Sequence, residues 1–399
     1  MLYLDHAATT PVRPEALKAA WPYLTDEFGN PSSVHEAGLR AKAALDWARQ
    51  TVATELGALP DEIVFTSGGT EANNLAIKGI ALGQPRGRHI VSAGTEHSSV
   101  LACLEYLERV HGFEVTLLPV DAEGRISATD LRAALRPNTT LVTLMLANNE
   151  IGTAHDITQL AAVAKEFDVP FHTDAVQAAG WFDLNVKELG VQALSLSGHK
   201  FGAPKGSGLL YVSSGLQLEP VIHGGGQEGG LRSGTQNVAW AVAAAVALQL
   251  TNTGKFVAIS TDDAPATGNT GGRSSRTAMA RAVTSAFIDG VLSVVPRARL
   301  TGTTADSGER HPAIASFTFE GLNGETLLLE LEQAGVICSS GSACSAGSTE
   351  PSHVLITMGL DADICRTVVR FSFGHDANSD QATQALVALK KAVAKVSGL

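Results

Sequence analysis

The chain has 399 residues, 44% of them apolar and 17% charged, with 40 glycines and a formal net charge of −11. That length exceeds a typical single domain and predicts two. The composition is that of a glycine-rich globular enzyme and excludes a disordered or fibrous chain. The acidic balance excludes a nucleic-acid grip, which needs a basic face.

Residues 1–6 carry no basic region ahead of an apolar core, so no secretory signal is expected. A short strand near Tyr3 breaks at Pro11, and 14–24 is helical in pattern. From Glu36 to Leu56, apolar residues at 41, 45, 48, 52 and 56 fall on one helical face. Short apolar runs then follow at 63–65, 89–91, 115–120, 141–146, 169–172, 193–196 and 209–212. Helix-like stretches separate most of them, at 71–82, 98–111, 128–135 and 157–167. Strands alternating with helices predict a mainly parallel, mixed seven-stranded sheet with helices on both faces, an α/β fold. The most apolar stretch, 238–250, is too short and too rich in alanine to span a bilayer and reads as a buried helix. The protein is therefore expected in the cytoplasm, away from membranes.

The tract 251–275 is polar and rich in helix breakers, and reads as a junction. Beyond it come a helix at 280–294, strands at 313–319 and 368–373, and helices at 326–333 and 381–396. The expected division is a large domain over 14–255 and a smaller α+β domain made of 1–13 and 256–399.

In parallel sheets ligands sit at the carboxyl ends of the strands. Five of those ends carry polar clusters. Thr66-Ser67-Gly68-Gly69-Thr70-Glu71 enters a helix, and is either a phosphate cradle or a plain capped helix start. It lacks the P-loop spacing. His97, in Gly94-Thr95-Glu96-His97, could stack on a flat ring and shuttle protons, or simply cap a helix. Asn148-Asn149-Glu150 could equally form a turn. Asp174 closes an apolar strand, where a buried acid is costly unless it meets a cation. Lys200, in Ser197-Gly198-His199-Lys200, would be poorly hydrated in that position and available for Schiff-base chemistry. An aldehyde cofactor with a pyridinium nitrogen, a phenolic oxygen and a phosphate needs this set of groups.

These motifs, with His172-Thr173-Asp174-Ala175-Val176-Gln177, Gly224-Gly225-Gly226-Gln227-Glu228 and Ser339-Ser340-Gly341-Ser342-Ala343-Cys344, resemble those of NifS/IscS-like cysteine desulfurases. That group belongs to the class V, pyridoxal-phosphate-dependent aminotransferase family, of fold type I. The resemblance spans nearly the whole chain and is weakest over 251–310. It implies that Lys200 forms the Schiff base, Asp174 pairs with the ring nitrogen, and Gln177 bonds the phenolic oxygen. It also implies that His97 stacks on the ring and moves protons. By the same resemblance Gly69, Thr70, Ser197 and His199 hold the phosphate, joined by Thr235 from the other subunit of a homodimer. Asn149 would lie near the substrate carboxylate and the cofactor ring, and Arg370 would fork onto that carboxylate. Two departures stand out: Gly229 occupies a position where arginine is common, and 251–275 replaces a continuous helix.

Among four cysteines, Cys103 and Cys365 read as buried apolar residues, and Cys338 as structural. No C-x-x-C pair is present, so neither a metal centre held by this chain alone nor a disulfide framework is expected. Cys344 lies among serine, glycine and alanine, a composition unsuited to packing and suited to a mobile, exposed loop. The resemblance makes it the thiol that takes sulfur from L-cysteine as a persulfide, leaving L-alanine. Sulfur would pass to an iron–sulfur scaffold or a tRNA-thiolating enzyme. The alternatives are a selenocysteine lyase or a small-amino-acid aminotransferase of the same fold, and a binding protein that keeps the fold without an active cofactor.

Overall fold

Each of the seven apolar runs becomes a strand of one sheet in the computed structural model, which describes residues 1–83, 85–255, 272–341 and 350–398. After the two-residue β1 (Leu2–Tyr3), these strands are β2 (Ile63–Thr66), β3 (His89–Ala93), β4 (Glu114–Leu118), β5 (Thr139–Thr143), β6 (Phe171–Asp174), β7 (Ala193–Ser197) and β8 (Gly208–Val212). Their order across the sheet is β2-β8-β7-β6-β5-β3-β4, with β8 alone running against its neighbours.

Successive side chains of a strand point to opposite faces. Ile90, Leu141 and Leu210 accordingly join one apolar cluster, and Val91, Val142 and Leu209 the other. The second cluster is covered by α1 (Pro14–Ala20) and α2 (Glu36–Leu56), the first by α3 (Gly69–Gly83) and α4 (Ser98–His111). Also over the second lie α5 (Ala128–Ala134), α6 (Ile157–Glu166), α7 (Val186–Leu189) and α8 (Val238–Thr253). With both faces covered, the strands read as continuous apolar runs rather than alternating ones. The alanine- and valine-rich α8 is buried nearly all round, as its composition requires. No helix among the described residues is long and apolar enough to cross a membrane.

A second core lies between α9 (Arg273–Val294) and the antiparallel sheet β9 (Ala298–Leu300), β10 (Ile314–Phe319) and β12 (Val369–Ser372), ordered β12-β10-β9. Phe287 meets Phe317, Phe371 and Phe373 edge-on there, with ring centroids 6.2, 5.0 and 5.6 Å apart. Between the last two strands come α10 (Gly324–Gln333), β11 (Val336–Ile337), α11 (His353–Thr357) and α12 (Ala362–Cys365), and α13 (Ser379–Val396) ends the fold. β1 pairs in parallel with β11, so the amino terminus belongs to this half of the molecule.

The helix expected at 280 starts at Arg273, inside the tract read as a junction, and α8 runs on to Thr253. Arg276 explains the difference. From the first turn of α9, its guanidinium donates to the Leu250 and Thr251 carbonyls, supplying partners that the end of α8 lacks. The remainder of that tract, 256–271, lies outside the described residues.

Candidate active site

Strands β2, β3, β5, β6 and β7 run in one direction and bring their carboxyl ends to one edge of the sheet. All the predicted site residues except Thr235 and Cys344 line a single cavity there, of about 390 Å³. Thr235 is exposed and away from it, and Cys344 lies outside the described residues.

The cradle forms where β2 turns into α3. The first N–H groups of a helix have no intrahelical acceptor, and the dipole of a 15-residue helix adds positive potential. Gly69 is required at that turn: a Cβ would lie 2.8 Å from Val176 Cγ2 and 3.2 Å from Ser197 Cβ. Glu71 does not line the cavity and is held by the Ser67 N–H at 2.9 Å and Arg232 Nε at 2.9 Å.

Asp174 is 5% exposed at the end of β6. Its Oδ2 accepts from Asn73 Nδ2 at 2.7 Å, and its Oδ1 from the Val176 N–H at 3.0 Å. Both donors are neutral. The Asn73 amide also donates to Ser99 Oγ at 2.9 Å, which sits 2.8 Å from His97 Nδ1. The Ser99 N–H donates to the same His97 nitrogen at 3.1 Å. Nδ1 is therefore an acceptor, and the neutral imidazole carries its proton on Nε2. His97 turns out to be both the cap of α4 and a wall of the cavity. Burial pushes it below its ordinary pKa, the Lys200 and His353 charges act the same way, and Asp174 opposes them.

Lys200 closes the single turn Gly198–Lys200 after β7. Gly198 is needed there, since a Cβ would sit 2.1 Å from Ser207 Oγ. The Lys200 amine donates to the Ala7 carbonyl and, at 3.0 Å, to that of Ala8. Gln177 Nε2 donates to the same Ala7 carbonyl at 2.9 Å, while the Ala7 N–H donates to Ser372 Oγ at 2.9 Å. Residues 5–10 thus form a strap behind the lysine. Thr10 Oγ1 donates to the His199 carbonyl at 2.7 Å, and burial with the Lys200 and Lys205 charges lowers the His199 imidazole to about 4.

Arg370 on β12 is 1% exposed. It donates to the Asn149 and Gly341 carbonyls at 2.7 and 2.8 Å, and to Asp5 Oδ1 at 2.7 Å. Its Nε has no hydrogen-bond partner among the described residues. Cys103 and Cys365 are buried as expected. Cys338 falls one residue past β11, and burial raises its thiol pKa strongly, so it is not a ready nucleophile.

Asn73, Ser99, Asp5 and the Ala7 and Ala8 carbonyls were not predicted members of this constellation. Asn73 had a sequence signal, a polar residue on the apolar face of α3. The carbonyls had none. Glu96 is a further unpredicted member of the surroundings: it is fully buried and accepts from the Met145 N–H at 2.8 Å. Burial, with Asp174 nearby, raises its carboxyl well above the usual range.

Residues 2–384 match the family model described as aminotransferase class-V. A cysteine desulfurase IscS of Dictyoglomus turgidum is 42% identical, over 99% of this chain and 95% of that one. An IscS-like cysteine desulfurase of Mycobacterium tuberculosis is also 42% identical, over 99% and 97%. Among solved structures, a NifS-like protein superposes with a TM-score of 0.86 at 31% identity, covering 99% of both chains. A structure described as SspA in complex with cysteine gives 0.78 at 36% identity, covering 94% of this chain and 99% of that one. By sequence along nearly its whole length and by fold, the chain belongs to the class-V aminotransferase family.

Proposed function

We propose that the chain is a cysteine desulfurase that uses pyridoxal 5′-phosphate and acts as a homodimer. One observation carries the reading: a buried carboxylate whose hydrogen bonds among the described residues come from two neutral donors, a lysine amine and a helix N-terminus face the same cavity. The donor set fits the cofactor. A buried anion calls for a cation, which a protonated ring nitrogen provides, and the start of α3 suits a phosphate. When bound, the cofactor supplies an aldehyde for the lysine and a ring that accepts electrons from the substrate α-carbon.

In this reading Asp174 holds the ring nitrogen and Gln177 the phenolic oxygen. Gly69, Thr70, Ser197 and His199 hold the phosphate. Neutral His97, in the cavity wall, would move protons to and from the bound group. Lys200 takes the α-proton. Arg370 and Asn149 receive the substrate carboxylate. The Cys344 thiolate attacks the substrate sulfur: an S–S bond forms, the C–S bond breaks with its electron pair going to carbon, and protonation there gives L-alanine. The large unit, 14–255, would carry the cofactor, and the small one, 1–13 with 256–399, the thiol.

Thr235 supports the dimer. It is exposed, on a loop that the Arg232–Glu71 ion pair ties to the rim of the cradle, where a second copy could receive it. Trp21, Phe28 and Val34, 59%, 78% and 92% exposed, offer apolar surface for the same contact. The sulfur acceptor would be an iron–sulfur scaffold or a tRNA-thiolating enzyme.

The deciding experiment is mass spectrometry after incubation with L-cysteine. A gain of about 32 Da on Cys344, one sulfur, is expected, together with L-alanine. Both must vanish in Lys200→Ala, and the adduct in Cys344→Ala. Alanine release that survives Cys344→Ala unchanged would instead favour a selenocysteine lyase of the same fold, and transfer of the amino group with no C–S cleavage would favour an aminotransferase.

A further inference from the structure

Behind the lysine lies a second, much smaller chamber of about 20 Å³. Lys200, Gln177 and Ala7 line both spaces and so form the wall between them. The chamber's other walls mix apolar groups, among them Trp181, Ile314 and Phe373, with the polar side chains of His6, Thr10, His311 and His375. His375 is the odd member. Its ring stacks on Trp181 with centroids 4.3 Å apart at 18°. Both of its ring nitrogens are shut off from solvent, and neither has a hydrogen-bond partner among the described residues. Neighbouring His311 shows the satisfied case: Nδ1 accepts from the Ala313 N–H at 3.1 Å, so Nε2 donates to the Gln177 carbonyl at 2.9 Å. Buried polar atoms of this kind need a partner, and a chamber of this size admits one water and little else.

Resting on the reading of Lys200 as the lysine that takes the cofactor, we infer that this chamber is a single-water site anchored on a ring nitrogen of His375, and that its water is a hydrogen-bond partner of the Lys200 ammonium from the rear, beside the Ala7 and Ala8 carbonyls. His375 is then a positioning residue, acting on the reactive amine through the water. A cation is refused. Arg13, Arg276, His6 and His311 face His375, and with burial they push its imidazole well below the ordinary value, leaving a neutral acceptor. On the other side, the titratable and charged groups sharing the large cavity with Lys200 are His97, Glu150, Asp174, His199, His353 and Arg370. An acceptor behind the amine favours its charged form, so removing that acceptor frees the amine at lower pH.

The test is the pH dependence of imine formation, followed by absorbance, when the full chain freed of cofactor is mixed with pyridoxal 5′-phosphate. His375→Phe keeps the stack on Trp181 but carries no polar atom, and should move the midpoint down by roughly one pH unit, the size expected for one hydrogen bond to a charged group. His375→Gln restores a polar group and should return the midpoint toward the wild-type value. A high-resolution crystal structure should place one water in the chamber. An unmoved midpoint in His375→Phe, an equal shift in both variants, or a chamber without water overturns the inference. Failure of the underlying reading looks different: no imine forms in the wild-type chain at any pH, or it forms equally in Lys200→Ala, and the inference falls with it.

Discussion

Arg370 reaches its cavity already engaged. Three groups hold it, the Asn149 and Gly341 carbonyls and Asp5, and it lines the cavity with its Nε unpartnered among the described residues. A planar fork can serve several acceptors at fixed angles, and an ammonium cannot. Arg370→Lys should therefore retain charge but lose geometry. The expected outcome is a KM for L-cysteine raised by about tenfold or more, the cost of one charge-assisted hydrogen bond, with a smaller change in kcat. An unchanged KM in steady-state kinetics would remove Arg370 from the substrate site. His97 carries a different lesson of the same scale. Two readings of it were open in the sequence, helix cap and chemical group, and the fold shows the first while seating the ring in the cavity wall. Nδ1 is spent on α4 and Ser99, which fixes the tautomer with the proton on Nε2.

At the scale of elements, the entry of α3 is where the proposed reading puts the cofactor phosphate. Gly69→Ala would drive a methyl group against the stiff Val176 side chain at 2.8 Å and push the helix start off the cradle. Affinity for pyridoxal 5′-phosphate should fall by at least about tenfold, roughly the loss of one hydrogen bond to a charged group, while the unfolding midpoint of the cofactor-free chain moves little. Fluorescence titration separates the two effects. Much of this architecture was legible. The seven strands were readable because both faces of the sheet are buried, which leaves unbroken apolar runs, and the site because polar residues end those runs. Asn73 and the onset of α9 were less so, since their roles depend on partners far along the chain: Asp174 for one, the end of α8 for the other. The strap was not legible at all. It acts through the carbonyls of two alanines, and backbone groups leave no mark on side-chain pattern. Elements as short as β9, β11, α11 and α12 are beyond any periodicity argument.

The molecule as a whole is held together by groups that tolerate acid poorly. His155, His172 and His311 are buried and neutral, with burial the main cause of pKa values near 4, 3 and 3. Unfolded, each would take its proton near pH 6.5; folded, each resists until far lower. Their contribution is thus complete above about pH 6.5 and is lost as the pH falls toward 4, at up to about 1.4 kcal/mol per pH unit for each. Thermal unfolding followed from pH 7.5 to 5 should show a steady fall in Tm, with a shallower slope in His155→Gln. A flat profile would mean that these imidazoles protonate freely in the native state. Arg310 plays a complementary part between the halves: 1% exposed, it donates to the Thr303, Ile151, Ile314 and Thr301 carbonyls and so ties the loop after β5 to the second core. The strap joins the halves in another way, and that has a consequence for biosynthesis. The Ala7 N–H is fixed by Ser372, 365 positions later, and its carbonyl in turn holds Lys200. At about 5–20 residues per second the ribosome needs roughly 20–70 s to cover that interval. The seven-stranded sheet draws all its strands from residues 63–212 and can assemble on the nascent chain, whereas the wall behind the lysine waits for nearly the last strand. In the proposed reading, cofactor capture in its finished geometry would therefore wait until translation has passed β12.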